Sequence, residues 1–329
     1  MAEPLATPST QARPDGVRVR VPGKINLALC VGPRRPDGFH DLATVFQSVS
    51  LADELRAIKA PAGVVTVAVH GRGADLVGAP EDNLAVRAAR LLAETYAPQR
   101  GAHLEITKGI PVAGGMAGGS ADAAAALLAC DRLWGLGLPS EALLELAALL
   151  GSDVPFTLLG GTAIGHGRGE RLTPVRVDHT FHWVLVTSPD GLSTPAVFRR
   201  FDELHPPETV PAPAVPEGLL AALVEGDPVA LGAALRNDLA EPAVALRPEL
   251  AVILAAGTEA GAVGRMVSGS GPTCAFLARD AAQAAGIAAE LRDRSAGQDR
   301  RPGPDVHPAR DVYVVRAPAS VGFLHAGRG

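Results

Sequence analysis

Pro111-Val112-Ala113-Gly114-Gly115-Met116-Ala117-Gly118-Gly119-Ser120-Ala121-Asp122-Ala123-Ala124-Ala125-Ala126 is the stretch from which the rest of the chain is read. Four glycines and a serine stand directly before an alanine-rich run of high helix propensity. The first turn of a helix leaves backbone N–H groups without partners, and here they face a loop with almost no side chains. Glycine lets the main chain close around phosphate oxygens where a Cβ would clash, and the helix dipole points its positive end the same way. A flexible linker would share this composition. The strand-like run His103 to Thr107 before the glycines and the helix after them favour a phosphate cradle instead. Two commoner nucleotide motifs do not fit. No lysine follows the glycines as a Walker loop requires, and Gly114, Gly115, Gly118 and Gly119 lack the Gly-x-Gly-x-x-Gly spacing of a dinucleotide fold.

Around that stretch, 329 residues with 47% hydrophobic and 20% charged content describe a soluble globular protein long enough for two domains flanking a cleft. A net charge of −5 disfavours nucleic acid as a partner. No apolar run has membrane-spanning length, and residues 1–15 lack a basic-then-apolar leader, so the expectation is a cytoplasmic protein with no membrane partner. Cys30, Cys130 and Cys274 are far apart and set among apolar neighbours, which suits reduced core thiols and neither a disulfide framework nor a zinc site. Lysine occurs only at Lys24, Lys59 and Lys108, two of them beside glycine or proline turns.

Taken in order, residues 1–15 have a disordered composition. Val17 to Val21 reads as a strand broken by Pro22-Gly23, and Lys24 to Leu29 as a second one. Its alternation puts Lys24 and Asn26 on one face and Ile25 and Leu27 on the other, so one face packs while the other is solvated or serves a cleft. A turn at Arg34 to Gly38 delivers Phe39 and His40, and Phe39 is either a core residue or a platform for a flat ring. Glu81-Asp82-Asn83 caps an amphipathic helix running to Tyr96. The helix after the glycine loop is expected over Ser120 to Trp134, where the Ser120 hydroxyl serves either as a cap or as a ligand of a phosphate or its Mg²⁺. Asp153, between a helix end and the turn Val154-Pro155-Phe156, either caps that turn or acts as a proton acceptor. A short helix opened by Thr194-Pro195 carries Phe198, a proline-rich run covers His205 to Pro216, and Ser268 to Thr273 is a second glycine-serine loop. Two such loops fit a cleft closing over a polyphosphate from both sides. Residues 294–310 read as disordered and Asp311 to Arg316 as a closing strand.

Three blocks, Pro22-Gly23-Lys24-Ile25-Asn26-Leu27, Gly114 to Ala124 and Ser268 to Thr273, in that order and spacing, resemble the GHMP small-molecule kinases. Arg35 to Leu42 with Phe46-Gln47, Gly151 to Pro155 and Asn237-Asp238-Leu239 narrow the likeness to a member acting on a cytidylated alcohol. The resemblance implies an α+β, two-domain GHMP kinase fold with a ribosomal S5-like N-terminal domain and a ferredoxin-like C-terminal domain. The expected division is a tail over 1–15, the ATP-binding domain over 16–165, the second domain over 166–320 and a tail over 321–329.

It further implies ATP-dependent phosphorylation, with Mg²⁺, of the 2-hydroxyl of a cytidylated methylerythritol on the non-mevalonate route to isoprenoid precursors. Lys24 and Asp153 match the catalytic pair. Pro111, Val112, Ala113, Gly114, Gly115, Met116, Ala117, Gly118, Gly119, Ser120 and Ala121 match the phosphate loop, with Lys108 near the nucleotide. Asn26, Phe39, His40 and Phe198 match positions around the cytidine end, the two phenylalanines stacking on the ring and a neutral His40 hydrogen-bonding its edge. No residue is assigned to the metal, and the assembly is left as monomer or homodimer. Three positions depart from the family pattern: Gly23 for alanine, Met116-Ala117 for Leu-Gly, and Phe39 for tyrosine. The competing readings are another GHMP kinase, of homoserine or mevalonate type, and a silent nucleotide-binding module.

Overall fold

The computed structural model of the chain describes residues 16–112, 114–188, 190–298 and 311–324. The first strand, β1 (Val17–Arg34), pairs antiparallel with β2 (His40–Ala60), and the two long strands form the spine of the molecule. Sequence reading expected a break at Pro22-Gly23, but β1 runs through it. The register with β2 shifts between Pro22 and Lys24, and this bulge absorbs the proline without ending the pairing. The chain continues through β3 (Val65–Gly71), α1 (Leu84–Tyr96) and β4 (Gly101–Lys108), which places β4 between β2 and β3. Asn83 caps α1 as expected, its Oδ1 accepting from the amides of Ala85 at 2.9 Å and Val86 at 3.4 Å.

Helix α2 (Gly118–Trp134) begins at Gly118, two residues ahead of the expected start, and lies against β1, β2 and α1. Its alanines are buried, so the helix packs close to its neighbours. Next come α3 (Ser140–Leu150), α4 (Val154–Leu159), β5 (Thr162–Gly167) and β6 (Arg171–Pro174). Strand β5 pairs with β2 and β6 with β5, so the first sheet carries on past the division expected at residue 165.

The second sheet has the order β11-β7-β10-β9, built from β7 (Phe181–Val186), β9 (Gly264–Val267), β10 (Cys274–Ala278) and β11 (Val312–Ala317). Between β7 and β9 run α5 (Thr194–Leu204), α6 (Leu219–Glu225), α7 (Pro228–Ala234), the two-residue β8 (Arg236–Asn237), α8 (Ala240–Leu246) and α9 (Glu249–Glu259). Gly257 on α9 lies so near the Phe276 ring that a Cβ there would sit 2.1 Å from it, which lets the helix lie flat on β10. Trp183 and Leu185 on β7 face the larger core while Val184 and Val186 face the second.

Two segments read as tails or disorder differ in the structure. Helix α10 (Ala281–Gln298) takes in residues 294–298, and β12 (Gly322–Leu324) pairs with β1, Arg18 opposite Leu324. Residues 1–15, 299–310 and 325–329 lie outside the described residues. Strand β8 also joins β1, in parallel, so the first sheet recruits two strands from late in the chain. The three cysteines are buried and none of them is in a disulfide, as expected.

Candidate active site

The alternation of β1 does what its pattern dictates: Ile25 and Leu27 are fully buried in the core, while Lys24 and Asn26 line a cavity of about 680 Å³. Lys24 is itself nearly buried, which a lysine tolerates only with partners. Its Nζ donates to Asn26 Oδ1 at 2.8 Å and stands 3.5 Å from Asp153 Oδ2. Asn26 Nδ2 donates to Thr44 Oγ1 at 2.9 Å, and that hydroxyl donates to the Ala28 carbonyl at 2.7 Å. A chain of four side chains, Thr44, Asn26, Lys24 and Asp153, therefore runs from the Ala28 carbonyl to the carboxylate. Asn26 thus spends its amide on Lys24 and Thr44, which ties it to the Lys24–Asp153 pair within the cavity.

Asp153 occupies the N-cap position of α4 but makes no side-chain cap hydrogen bond. The carboxylate is one-third exposed (34%) and lines the cavity, so it is not spent on capping the turn.

A second cavity, of about 450 Å³, is walled by the glycine loop, the start of α2 and residues 76–78. Pro111, Val112, Gly114, Gly115, Met116, Ala117, Gly118, Gly119 and Lys108 are among the residues that line it. Ala113 lies outside the described residues. Two expected members are not in the lining. Ala121 is fully buried and its amide is spent on the Ala117 carbonyl at 2.8 Å, while Ser120 sits one residue beyond the cradle with its own carbonyl accepting from Thr157 Oγ1. The amides of Gly115, Met116, Ala117, Gly118, Gly119 and Ser120 have no acceptor among the described residues. Gly115 and Ala117 line both cavities, so the glycine loop is a shared wall.

The loop is held from two sides. The Lys24 amide donates to the Met116 carbonyl at 3.2 Å, and a Cβ on Gly23 would crowd that same carbonyl at 3.3 Å. From the second glycine-serine loop, Thr273 Oγ1 donates to the Gly114 carbonyl, and a Cβ on Gly115 would come within 2.6 Å of the Gly271 carbonyl. The two loops pack against each other, the second bracing the first. Asn237 fixes the second loop, its Nδ2 donating to the carbonyls of Val267 at 2.6 Å and Gly269 at 2.7 Å. Ala117 takes φ 59°, ψ 34°, the left-handed conformation a glycine would adopt freely.

Beneath the loop Lys108 is committed elsewhere. Its Nζ donates to Asp53 and, at 2.7 Å, to Asp122, and its side chain is nearly buried, so it braces the cradle rather than reaching out to a nucleotide. Asp53 also accepts from the amides of Gly109 at 2.7 Å and Ile110 at 2.8 Å. Burial pushes the Asp122 carboxyl up to about 8 despite the Lys108 ammonium beside it. Asp122 Oδ1 has no hydrogen-bond partner. The signal for Asp122 was its place in the first turn of α2; Asp53, far away on β2, carried none.

At the opposite end of the larger cavity His40 stacks on Phe198 with ring centroids 5.2 Å apart and meets Phe201 edge-on at 5.8 Å. One face of Phe198 is therefore covered by His40. Phe39 is half exposed, with the Arg168 guanidinium 5.3 Å from its ring centroid. The expected His40 chemistry changes: Nδ1 is 2.8 Å from the Gly32 carbonyl, which only accepts, so the ring hydrogen lies on Nδ1 and is already used. Sequence reading missed Asp202, Arg168 and Thr44, all of which line this cavity.

Residues 83–161 match the family model described as GHMP kinases N terminal domain and residues 219–296 that described as GHMP kinases C terminal. A 4-diphosphocytidyl-2-C-methyl-D-erythritol kinase of Streptomyces coelicolor is 54% identical over 283 residues, covering 86% of this chain and 94% of the relative. The crystal structure of a 4-(cytidine 5'-diphospho)-2C-methyl-D-erythritol kinase superposes with a TM-score of 0.72 at 32% identity, covering 92% of this chain and all of the other (100%). A homoserine kinase from Cytophaga hutchinsonii has the same TM-score, 0.72, at 18% identity, covering 97% of this chain and 100% of its own, a likeness of fold alone. No helix among the described residues is long and apolar enough to cross a membrane. With both domain models matched in order, a relative more than half identical along nearly its whole length, and an amide cradle sharing a wall with a Lys–Asp pair, this chain belongs to the GHMP kinase family.

Proposed function

We propose that the chain transfers the γ-phosphoryl group of ATP to the 2-hydroxyl of 4-diphosphocytidyl-2-C-methyl-D-erythritol, on the non-mevalonate route to isoprenoid precursors. The observation that carries this reading is the wall shared by the two cavities at Gly115 and Ala117, with Lys24 and Asp153 on the acceptor side. A triphosphate held by the free amides of the loop and the N-terminus of α2 brings its terminal phosphate to that wall. Asp153 accepts the proton of the attacking hydroxyl, and Lys24, 3.5 Å from the carboxylate, offsets the charge that develops on the transferred group. A positioned base supplies ~10²–10⁴-fold, so alignment and fixed charge supply the larger share.

The residues fit Mg²⁺. Asp122, at the wall of the second cavity and with Oδ1 unpartnered, is the carboxyl that would hold this ion, giving up its proton to do so. When bound, the ion would neutralise phosphate charge. The aromatic end of the larger cavity, with Phe39, His40 and Phe198, suits a flat base, which supports the cytidylated acceptor over smaller alcohols. A cytoplasmic setting fits three buried cysteines outside any disulfide, and the net charge of −5 fits a partner other than nucleic acid.

One assay tests the reading: ADP release from ATP with the cytidylated methylerythritol, homoserine, mevalonate or galactose as acceptor. Turnover confined to the cytidylated alcohol is expected. Turnover with homoserine or mevalonate in its place would transfer the assignment within the family, and ATP binding with no turnover on any acceptor would make the chain a silent nucleotide-binding module.

A further inference from the structure

Asn237 stands on β8, the two-residue strand that joins the first sheet beside Leu29 of β1. Two contacts hold it there: the Asp238 amide donates to the Leu29 carbonyl at 2.9 Å, and the Val31 amide donates to Asp238 Oδ2 at 3.0 Å. From that seat the half-buried Asn237 side chain spends its amide nitrogen on the second glycine-serine loop, at the carbonyls of Val267 and Gly269 on either side of Ser268. Its Oδ1 accepts from the Leu239 amide at 2.9 Å, so the amide plane is fixed. The loop segment held in this way lies on the Lys24–Asn26 contact: a Cβ on Gly269 would come within 3.3 Å of Asn26 Oδ1 and 3.4 Å of Lys24 Nζ. Strand β1 thus carries Lys24 and, through β8, also carries the loop that covers it.

Gly269 lines the larger cavity together with Lys24, Asp153 and Gly115. A lysine ammonium is a point charge on a flexible stem, so its place is set by what surrounds it. Asn26 holds it from β1, Asp153 stands 3.5 Å away, and the Gly269 backbone closes over it. Losing the two Asn237 hydrogen bonds frees the loop at Gly269. The grips on the phosphate loop, Thr273 Oγ1 on the Gly114 carbonyl and Gly271 against Gly115, are made by other residues and stay in place. We infer that Asn237 is a positioning residue, which by fixing the second loop over Lys24 sets where the ammonium stands beside Asp153. The inference rests on the reading of Lys24 and Asp153 as the pair at which the phosphoryl group is transferred.

Lysine occurs only at Lys24, Lys59 and Lys108, so ¹³C labelling of the lysine ε-carbons in the full chain gives one resonance for each, with Lys24→Ala assigning the first. Asn237→Ala should move the Lys24 resonance and leave those of Lys59 and Lys108 in place. In single-turnover kinetics with ATP and the cytidylated methylerythritol it should slow phosphoryl transfer by ~10–10²-fold, the scale of an ångström-sized misplacement, with ATP affinity by calorimetry little changed. In a Lys24→Ala background the same substitution should cost almost nothing further, because its effect passes through the ammonium. Gly269→Ala crowds Lys24 with Asn237 intact; it should also shift the Lys24 resonance and slow transfer, and it serves as the reading if the Asn237 variant does not fold. An unmoved Lys24 resonance, a shift of all three lysines together, an unchanged transfer rate in an active chain, or a loss that persists in full without Lys24 overturns the inference. A Lys24 shift on Asn237→Ala in a chain that phosphorylates no acceptor upholds Asn237 as the residue that sets the ammonium while removing the kinase reading.

Discussion

Lys24 Nζ stands nearer to Asn26 Oδ1, at 2.8 Å, than to Asp153 Oδ2, at 3.5 Å. The ammonium is thus anchored through Asn26 to the β1–β2 ladder and offered to Asp153 at a distance that leaves the carboxylate free to receive a proton. Replacing Asp153 by asparagine keeps the shape and removes the base. The expected result is a fall in kcat of ~10²–10⁴-fold with ATP affinity nearly unchanged, measured by single-turnover kinetics and ATP titration. Undiminished turnover would remove Asp153 from the chemistry.

Asn26→Ala tests the anchor. Lys24 would lose its closest partner and Thr44 its donor from Asn26, so kcat should drop while the fold loses about 1–3 kcal/mol, read by urea denaturation. The activity losses of Asn26→Ala and Lys24→Ala should be strongly non-additive in a double-mutant cycle, because both act through one ammonium. Additive losses would mean that Asn26 works independently of Lys24.

Ala117→Gly addresses the left-handed residue ahead of α2. An L-residue at φ 59° carries roughly 1–2 kcal/mol of strain that glycine does not. Part of that gain is offset by the greater freedom of glycine in the unfolded chain, so a net stabilisation of up to about 1 kcal/mol is expected. Urea denaturation without nucleotide measures it, and a destabilised variant would show that the alanine methyl packs better than the backbone suffers.

Asp122 makes stability fall with pH. Its carboxyl is raised by burial from the ordinary carboxylate range to about 8, so the folded chain holds a proton that the unfolded chain has already released. Stability should therefore decline as pH rises from about 4 to about 8 and level off above that. Asp122→Asn, which has no proton to lose, should flatten that decline relative to wild type in denaturant titrations at pH 5, 6, 7 and 8. Parallel slopes for the two proteins would show that Asp122 is ionised throughout.

Local patterns carried the parts of the site that depend on neighbours in sequence. The alternation from Lys24 to Leu27 separated cavity from core, the glycine run placed the free amides, and Asn83 marked a helix start. What the sequence did not show arises from contacts far apart in the chain. Lys108 looked like a nucleotide ligand until Asp53, on another strand, and Asp122 claimed its ammonium. Asn26 looked like a substrate contact because nothing in its surroundings in sequence announced Thr44 as its partner. Pro22-Gly23 read as a strand break because propensity ignores the pairing of β2, which carries the strand across it through a bulge. Asp202 was open to detection, being four residues after Phe198 on a short helix, but only the fold sets it opposite His40.

Strands β8 and β12 come from beyond residue 235 yet complete the edge of a sheet begun at Val17. During ribosomal synthesis the free edge of β1 must wait for most of the polypeptide to emerge before either strand can cover it. The first domain is consequently a poor candidate for folding as it leaves the ribosome, and a nascent chain stalled before Arg236 would present an open strand edge to chaperones or to its neighbours on the same message.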